Sequence, residues 1–94
     1  MKTELTLNST VQVSQEVVSC DLVEEAALLN LKDGVYYGLN PVGARIWKLI
    51  QKPKKLSDIL EILVSEYDVE RDVCQTDLME LTEQLLEKEL IKMV

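Results

Sequence analysis

Few residues in this sequence could make or break a covalent bond. There is no histidine, and the only thiols are Cys20 and Cys74. A cysteine becomes a nucleophile when a neighbouring base or cation lowers its pKa, and neither cysteine has a plausible activating partner. Without a CxxC spacing or an imidazole, a zinc site would lack most of its usual ligands. Both cysteines therefore read as reduced thiols in a cytosolic protein, since free Cys is often a small core hydrophobe, and a disulfide between them has no support. Carboxylates are plentiful, but they fall on helix faces of a domain too small to enclose a substrate. These features point to a protein that is not an enzyme and carries no cofactor and no metal. What remains is the chemistry of recognition. Tyr36, Tyr37 and Gly38 stand in one β-favouring run, and Cys74, Asp77, Leu78 and Leu81 stand at helical spacing.

The elements that must position these residues have to fit in 94 residues, of which 47% are hydrophobic. A chain of this size buries roughly 60–65% of its unfolded surface, enough for one core. The expectation is a single domain over 1–94 that works by presenting a surface. The net charge of −7 opposes a nucleic-acid partner, which is held by Lys and Arg on phosphates, and it opposes an anionic membrane. The N-terminus lacks the apolar stretch of a signal peptide, and no segment approaches the ~20 apolar residues of a membrane span. A soluble, cytoplasmic protein is expected.

Residues 1–9 are polar and read as frayed. Val11 and Val13 alternate with Gln12 and Ser14, predicting a short strand that Val17 to Cys20 either continue or bend away from. Asp33-Gly34 is a tight-turn signal between apolar runs, predicting a hairpin of Ala26–Leu31 with Val35–Leu39. Together with the first strand this makes a three-stranded antiparallel sheet. The period then changes. Asn40-Pro41 is a helix start, Asn as cap and Pro at the first helical position. Val42, Ile46, Leu49 and Ile50 share one face of this helix, which Pro53 ends. A second helix begins near Leu56 or Ser57 and buries Ile59, Leu60, Ile62 and Leu63. Asp68 is placed to cap a third, whose stripe is Val69, Val73, Leu78, Leu81 and Leu85, with Cys74 beside it. Leu90 and Ile91 close the chain in a strand or turn. The predicted fold class is α+β and winged-helix-like, an N-terminal three-stranded antiparallel sheet followed by three helices.

The stretch ALLNLKDGVYYGLNPVGARIWKLI closely resembles the PqqD-like family of recognition elements for ribosomally made, modified peptides. Leu29, Gly34, Tyr36, Tyr37, Leu39, Asn40, Gly43, Ile46 and Trp47 fit its central pattern. Leu56, Ile59 and Leu63 fit its second helix; Asp77, Leu78, Leu81 and Leu85 fit its third. The resemblance runs from about Val11 to Ile91. Two positions depart from it: Lys55 stands where the second helix usually has a Thr or Ser cap, with Ser57 as the alternative. Glu89 stands where a Gly commonly breaks the third helix.

The resemblance implies a non-catalytic binder of the leader of a precursor peptide. The leader would add as a strand at the sheet edge, against the third helix, for a separate modifying enzyme or leader peptidase. Lasso-peptide, radical-SAM and PQQ pathways use stand-alone relatives, with the lasso pathway favoured here. An edge strand offers unpaired N–H and C=O groups to such a partner. The candidate peptide-binding residues are Val35, Tyr36, Tyr37, Gly38 and Leu39 on that edge, and Cys74, Asp77, Leu78 and Leu81 on the third helix. Tyr36 and Tyr37 must point to opposite faces, and which one faces the groove is open. Asp77 would pair with a Lys or Arg of the leader, or is simply solvated; the leucines would form pockets, or simply pack. Arg45, Lys48, Lys52, Lys54 and Lys55 read as a solvated basic face, or more sharply as a docking surface for the partner enzyme. Two alternatives stand beside this reading. A winged-helix DNA-binding regulator is opposed by Glu70, Asp72, Asp77, Glu80, Glu83 and Glu87 on the third helix. An adaptor or edge-paired homodimer would compete with the leader for one surface.

Overall fold

The computed structural model describes residues 5–22 and 25–94. Strands β1 (Thr10–Val13), β2 (Val17–Leu22), β3 (Glu25–Asn30) and β4 (Val35–Leu39) precede helix α1 (Pro41–Leu49). Then come β5 (Lys54–Lys55), α2 (Leu56–Glu66), α3 (Arg71–Glu87) and β6 (Ile91–Met93). The fold is α+β and winged-helix-like, a three-stranded antiparallel sheet followed by three helices. That sheet runs β2-β3-β4, and β5-β1-β6 form a second one.

The strand order corrects the expectation for Val11 and Val13. The chain bends at Ser14, whose Oγ accepts from the Glu16 N–H (3.3 Å) and whose carbonyl accepts from Val17 (3.4 Å). The strand is thereby cut in two. Its first half pairs with the C-terminal β6 and with β5, while β2 takes the place beside the hairpin. Of the stretch expected to fray, residues 1–4 lie outside those described. Leu5 and Leu7 pack against the core.

The hairpin is wider than a two-residue turn. β3 ends at Asn30 and residues 31–34 form the loop, with Leu31 exposed. Gly34 adopts φ +72°, a conformation that glycine takes without penalty, and its N–H reaches the Asn30 carbonyl (2.8 Å). The Asn30 side chain is buried and ties the loop to the end of α3. Its Oδ1 accepts from the Lys32 N–H (3.0 Å), and its Nδ2 donates to the Lys88 carbonyl at the end of α3 (3.3 Å).

Helix α1 starts as expected. Asn40 Oδ1 accepts from the Gly43 N–H at 2.8 Å, with Pro41 at the first helical position. The other two helices start differently. At α2 the cap residue is Lys55, which makes no side-chain cap bond. Backbone carbonyls of the N-terminal segment serve instead: Ser9 accepts from Leu56 and Leu7 from Ser57, both at 2.9 Å. This relieves the position of its need for a Ser or Thr. At α3 the cap is Glu70 and not Asp68, two residues later than expected. The core gathers Leu28 from β3, Ile50 from the end of α1, Leu56, Ile59, Leu60 and Leu63 from α2, and Leu78 from α3. Leu90 closes it.

Candidate functional site

In an antiparallel sheet successive residues direct their backbone groups to alternate neighbours. Leu31 donates to the Glu16 carbonyl (2.9 Å), which sets the alternation along β3. Glu25, Ala27 and Leu29 then face β2, while Ala26, Leu28 and Asn30 face β4. Their register partners Leu39 and Tyr37 commit their backbone groups to β3, while at the loop end the Val35 N–H donates to Asp33 Oδ1 (2.9 Å). The N–H and C=O groups of Tyr36 and Gly38 point away from the sheet, along an edge that no other described strand covers.

That edge opens on a cleft of about 350 Å³. Gly38, Leu39 and Asn40 form one wall; Val42, Gly43 and Ile46 of α1 form the floor beside them. Leu63, Tyr67 and Val69 close one end, and Val73, Cys74, Asp77, Leu78 and Leu81 of α3 form the opposite wall. Helical geometry divides α3 between two tasks. Cys74, Leu78, Thr82 and Leu85 are buried in the core, and the Thr82 hydroxyl is satisfied by the Leu78 carbonyl (2.7 Å). Val73, Asp77 and Leu81 recur every four residues on the neighbouring ridge and face the cleft. Val73 is 53% and Val69 45% exposed, as no part of the interior would be. Gly43 is needed where it stands: a Cβ there would lie 3.3 Å from Asn40 Oδ1 and 3.4 Å from the Leu39 side chain. A side chain there would make the Asn40 cap or the Leu39 side chain give by a few tenths of an ångström.

The cleft is apolar with one charged residue on its wall. Burial raises the pKa of the Cys74 thiol, and the Asp77 carboxylate raises it further against the opposing pull of Arg71. The thiol is thus held neutral, as a hydrophobe and not a nucleophile. The walls are tied from behind. Arg45 of α1 grips Glu66 of α2 through two hydrogen bonds (2.9 and 2.6 Å), and Arg71 of α3 pairs with Glu61 of α2. The hydrogen bond from Arg45 is the main cause that lowers the Glu66 pKa.

Six of the nine candidate residues line this cleft: Gly38, Leu39, Cys74, Asp77, Leu78 and Leu81. The other three do not. Tyr37 shares the inward face with Leu28 and Leu39 and lies under Lys88, whose Nζ is 5.3 Å from the ring centre. Tyr36 points to the opposite face and is 73% exposed, and Val35 lies at the loop end of the strand. Neither tyrosine enters the cleft. Sequence reasoning missed Val42, Val69 and Val73 as cleft residues. Val73 precedes Asp77 by one helical repeat, which was a usable signal; the exposure of Val42 and Val69 was not visible in the pattern.

The profile of the family described as coenzyme PQQ synthesis protein D (PqqD) matches residues 25–91, from β3 to β6 and so across the whole cleft. The chain belongs to the PqqD family. Among solved structures, TbiB1 in complex with the TbiA(beta) leader peptide is similar at 37% identity and a TM-score of 0.81, over 86% of this chain and 94% of that one. A lasso peptide synthetase B1 complexed with the leader peptide is similar at 26% identity and a TM-score of 0.77, over 87% and 96% of the two chains. No functionally curated protein matches. The Glu89 position, a departure from the family pattern, takes the conformation a glycine would have taken. Its φ is +57°, with Glu89 donating to Leu86 (3.0 Å) and Leu90 to Leu85 (2.9 Å), the bonding of a Schellman helix end.

Proposed function

We propose that this chain is a non-catalytic recognition protein for the leader of a ribosomally synthesised precursor peptide, in lasso-peptide biosynthesis. The leader adds as a strand to β4 and seats its side chains in the cleft against α3. The precursor is thereby presented to a modifying enzyme or leader peptidase in the cytoplasm. The observation that carries this reading is the juxtaposition of the free β4 edge with an apolar cleft. Main-chain bonds at Tyr36 and Gly38 would supply affinity, and pockets along α3 would supply selectivity. The two solved relatives, both complexes with leader peptides, support it. The DNA-binding alternative gains nothing: Glu70, Asp72, Asp77, Glu80, Glu83 and Glu87 of the α3 region are all exposed and would repel phosphate. Among the described residues no helix is long and apolar enough to cross a membrane.

The test is fluorescence anisotropy with a labelled synthetic leader, taken from the precursor encoded nearest this gene, against a scrambled peptide. Saturable binding of the leader alone at about micromolar or tighter, near −8 kcal/mol, is expected. Equal binding of the scrambled peptide by the folded protein would sink the reading.

A further inference from the structure

Most of the described cations outside one region are engaged. Lys32 pairs with Glu89, Arg45 with Glu66 and Arg71 with Glu61, while Lys88 lies over Tyr37. The exception is the pole formed by the second sheet and the end of α1. In β5-β1-β6 the buried Val11 marks the inner face, so its neighbours Thr10 and Gln12 take the outer face with their register partners Lys55 and Lys92. Gln12 Nε2 donates to the Gln51 carbonyl (3.4 Å), joining this face to the end of α1, where Lys48 and Lys52 are exposed. No ion pair among the described residues holds Lys48, Lys52, Lys55 or Lys92. Asp58 in the first turn of α2 is an acidic residue close in sequence to this group. A cluster of free ammonium groups is thus set on a chain whose net charge is −7.

Two geometric facts say what it fits. The first turn of α1, at Val42 and Gly43, lies in the cleft, and its last turn carries Lys48. The cleft reaches along α1 to Ile46, but no residue of the β5-β1-β6 sheet that carries Lys55 and Lys92 lines it. A protein docked on the pole leaves the cleft free for the leader. The acidic ridge of α3 and the cationic pole also make the surface charge uneven, so a negatively charged partner is disfavoured along α3 and favoured at the pole. Nucleic acid is a poorer fit, because the pole presents a small sheet and no helix to enter a groove, and the exposed carboxylates of α3 repel phosphate.

We infer that Lys48, Lys52, Lys55 and Lys92 form the docking surface for an acidic face of the enzyme that processes the bound precursor. The inference rests on the leader-binding reading, and its test keeps the two apart. The leader peptidase encoded nearest this gene is the probe. The full chain is compared with a variant carrying Lys52→Glu, Lys55→Glu and Lys92→Glu, and with the same positions changed to Gln.

Association with the peptidase is followed by surface plasmon resonance at several salt concentrations, and leader binding by anisotropy. The expected result is unchanged leader affinity in all three proteins. Association with the peptidase slows by about tenfold or more in the Glu variant and less in the Gln variant, with a flatter salt dependence. A wild-type protein that fails to bind leader overturns the earlier reading. A wild type that binds leader but does not associate with the peptidase, or a Glu variant that associates as fast as wild type, overturns this one. It is likewise overturned if the substitutions abolish duplex-DNA binding or self-association while leaving peptidase association intact.

Discussion

Replacing Gly38 by proline should weaken leader binding while leaving the domain folded. The alternation along β3 leaves the Gly38 N–H outside the ladder, so proline removes no bond from the sheet. Proline is tolerated on an edge strand when its N side faces outward. Tyr37, the preceding residue, is already extended, as a residue before proline must be. A Cβ at Gly38 meets nothing within 4 Å, and its φ is not in the left-handed region. The folded state should therefore stay within about 1 kcal/mol of wild type, helped by a stiffer unfolded chain. Binding loses more. Losing the N–H removes one main-chain bond and leaves the leader carbonyl unpaired against the ring, at a cost of ~1–3 kcal/mol. A loss of ~1–3 kcal/mol corresponds to a drop of about 5- to 150-fold in affinity. Gly38→Ala keeps the N–H and should bind within about twofold of wild type. Anisotropy titrations give the affinities, and urea denaturation followed by circular dichroism gives the stabilities. A Gly38→Pro variant of normal stability that binds the leader as wild type does would refute strand addition at this edge.

Other outcomes follow from the cleft and from the end of α3. Leu81 is only partly buried, so Leu81→Ala should lower affinity at a stability cost of ~1–2 kcal/mol, whereas the fully buried Leu78 should cost ~2–5 kcal/mol on truncation. Parallel binding and denaturation titrations separate the two. Asp77 is exposed, and Asp77→Ala should weaken binding without loss of stability; equal affinity in the folded variant would remove Asp77 from the site. Glu89→Gly relieves an L-residue at φ +57°, worth ~1–2 kcal/mol. It surrenders ~0.5–1 kcal/mol of backbone entropy and a weak exposed pair with Lys32. A small rise in the thermal midpoint is expected, and a fall would place the Lys32 pair above the strain. The raised pKa of Cys74 keeps its thiolate scarce at neutral pH, so iodoacetamide should label exposed Cys20 well before Cys74. Mass spectrometry of the digested protein reads the order, and saturating leader should slow Cys74 further.

Local patterns in the sequence were enough to place the hairpin, the Asn40-Pro41 helix start and the three helices, because turn, cap and apolar-period signals act over a few residues. The absence of histidine and the spacing of Cys74, Asp77, Leu78 and Leu81 were enough to favour recognition over catalysis. Two matters were decided only by tertiary structure. One was strand partnership: Val11 and Val13 read as neighbours of the hairpin, but their partners β5 and β6 are distant in sequence, and no local signal ranks a distant pairing against a near one. The other was the side to which each residue turns. Periodicity put Val69, Val73 and Leu81 on the same apolar stripe as Leu78 and Leu85. Only the packing of α2 and β6 against α3 covers Leu78 and Leu85 and leaves Val69 and Val73 on the open cleft. Likewise the alternation of β4 required Tyr36 and Tyr37 to face apart, yet it took the buried Leu28 opposite Tyr37 to show which one turns inward. Sequence carries the period of an element, but its phase against the rest of the protein is set by what packs upon it.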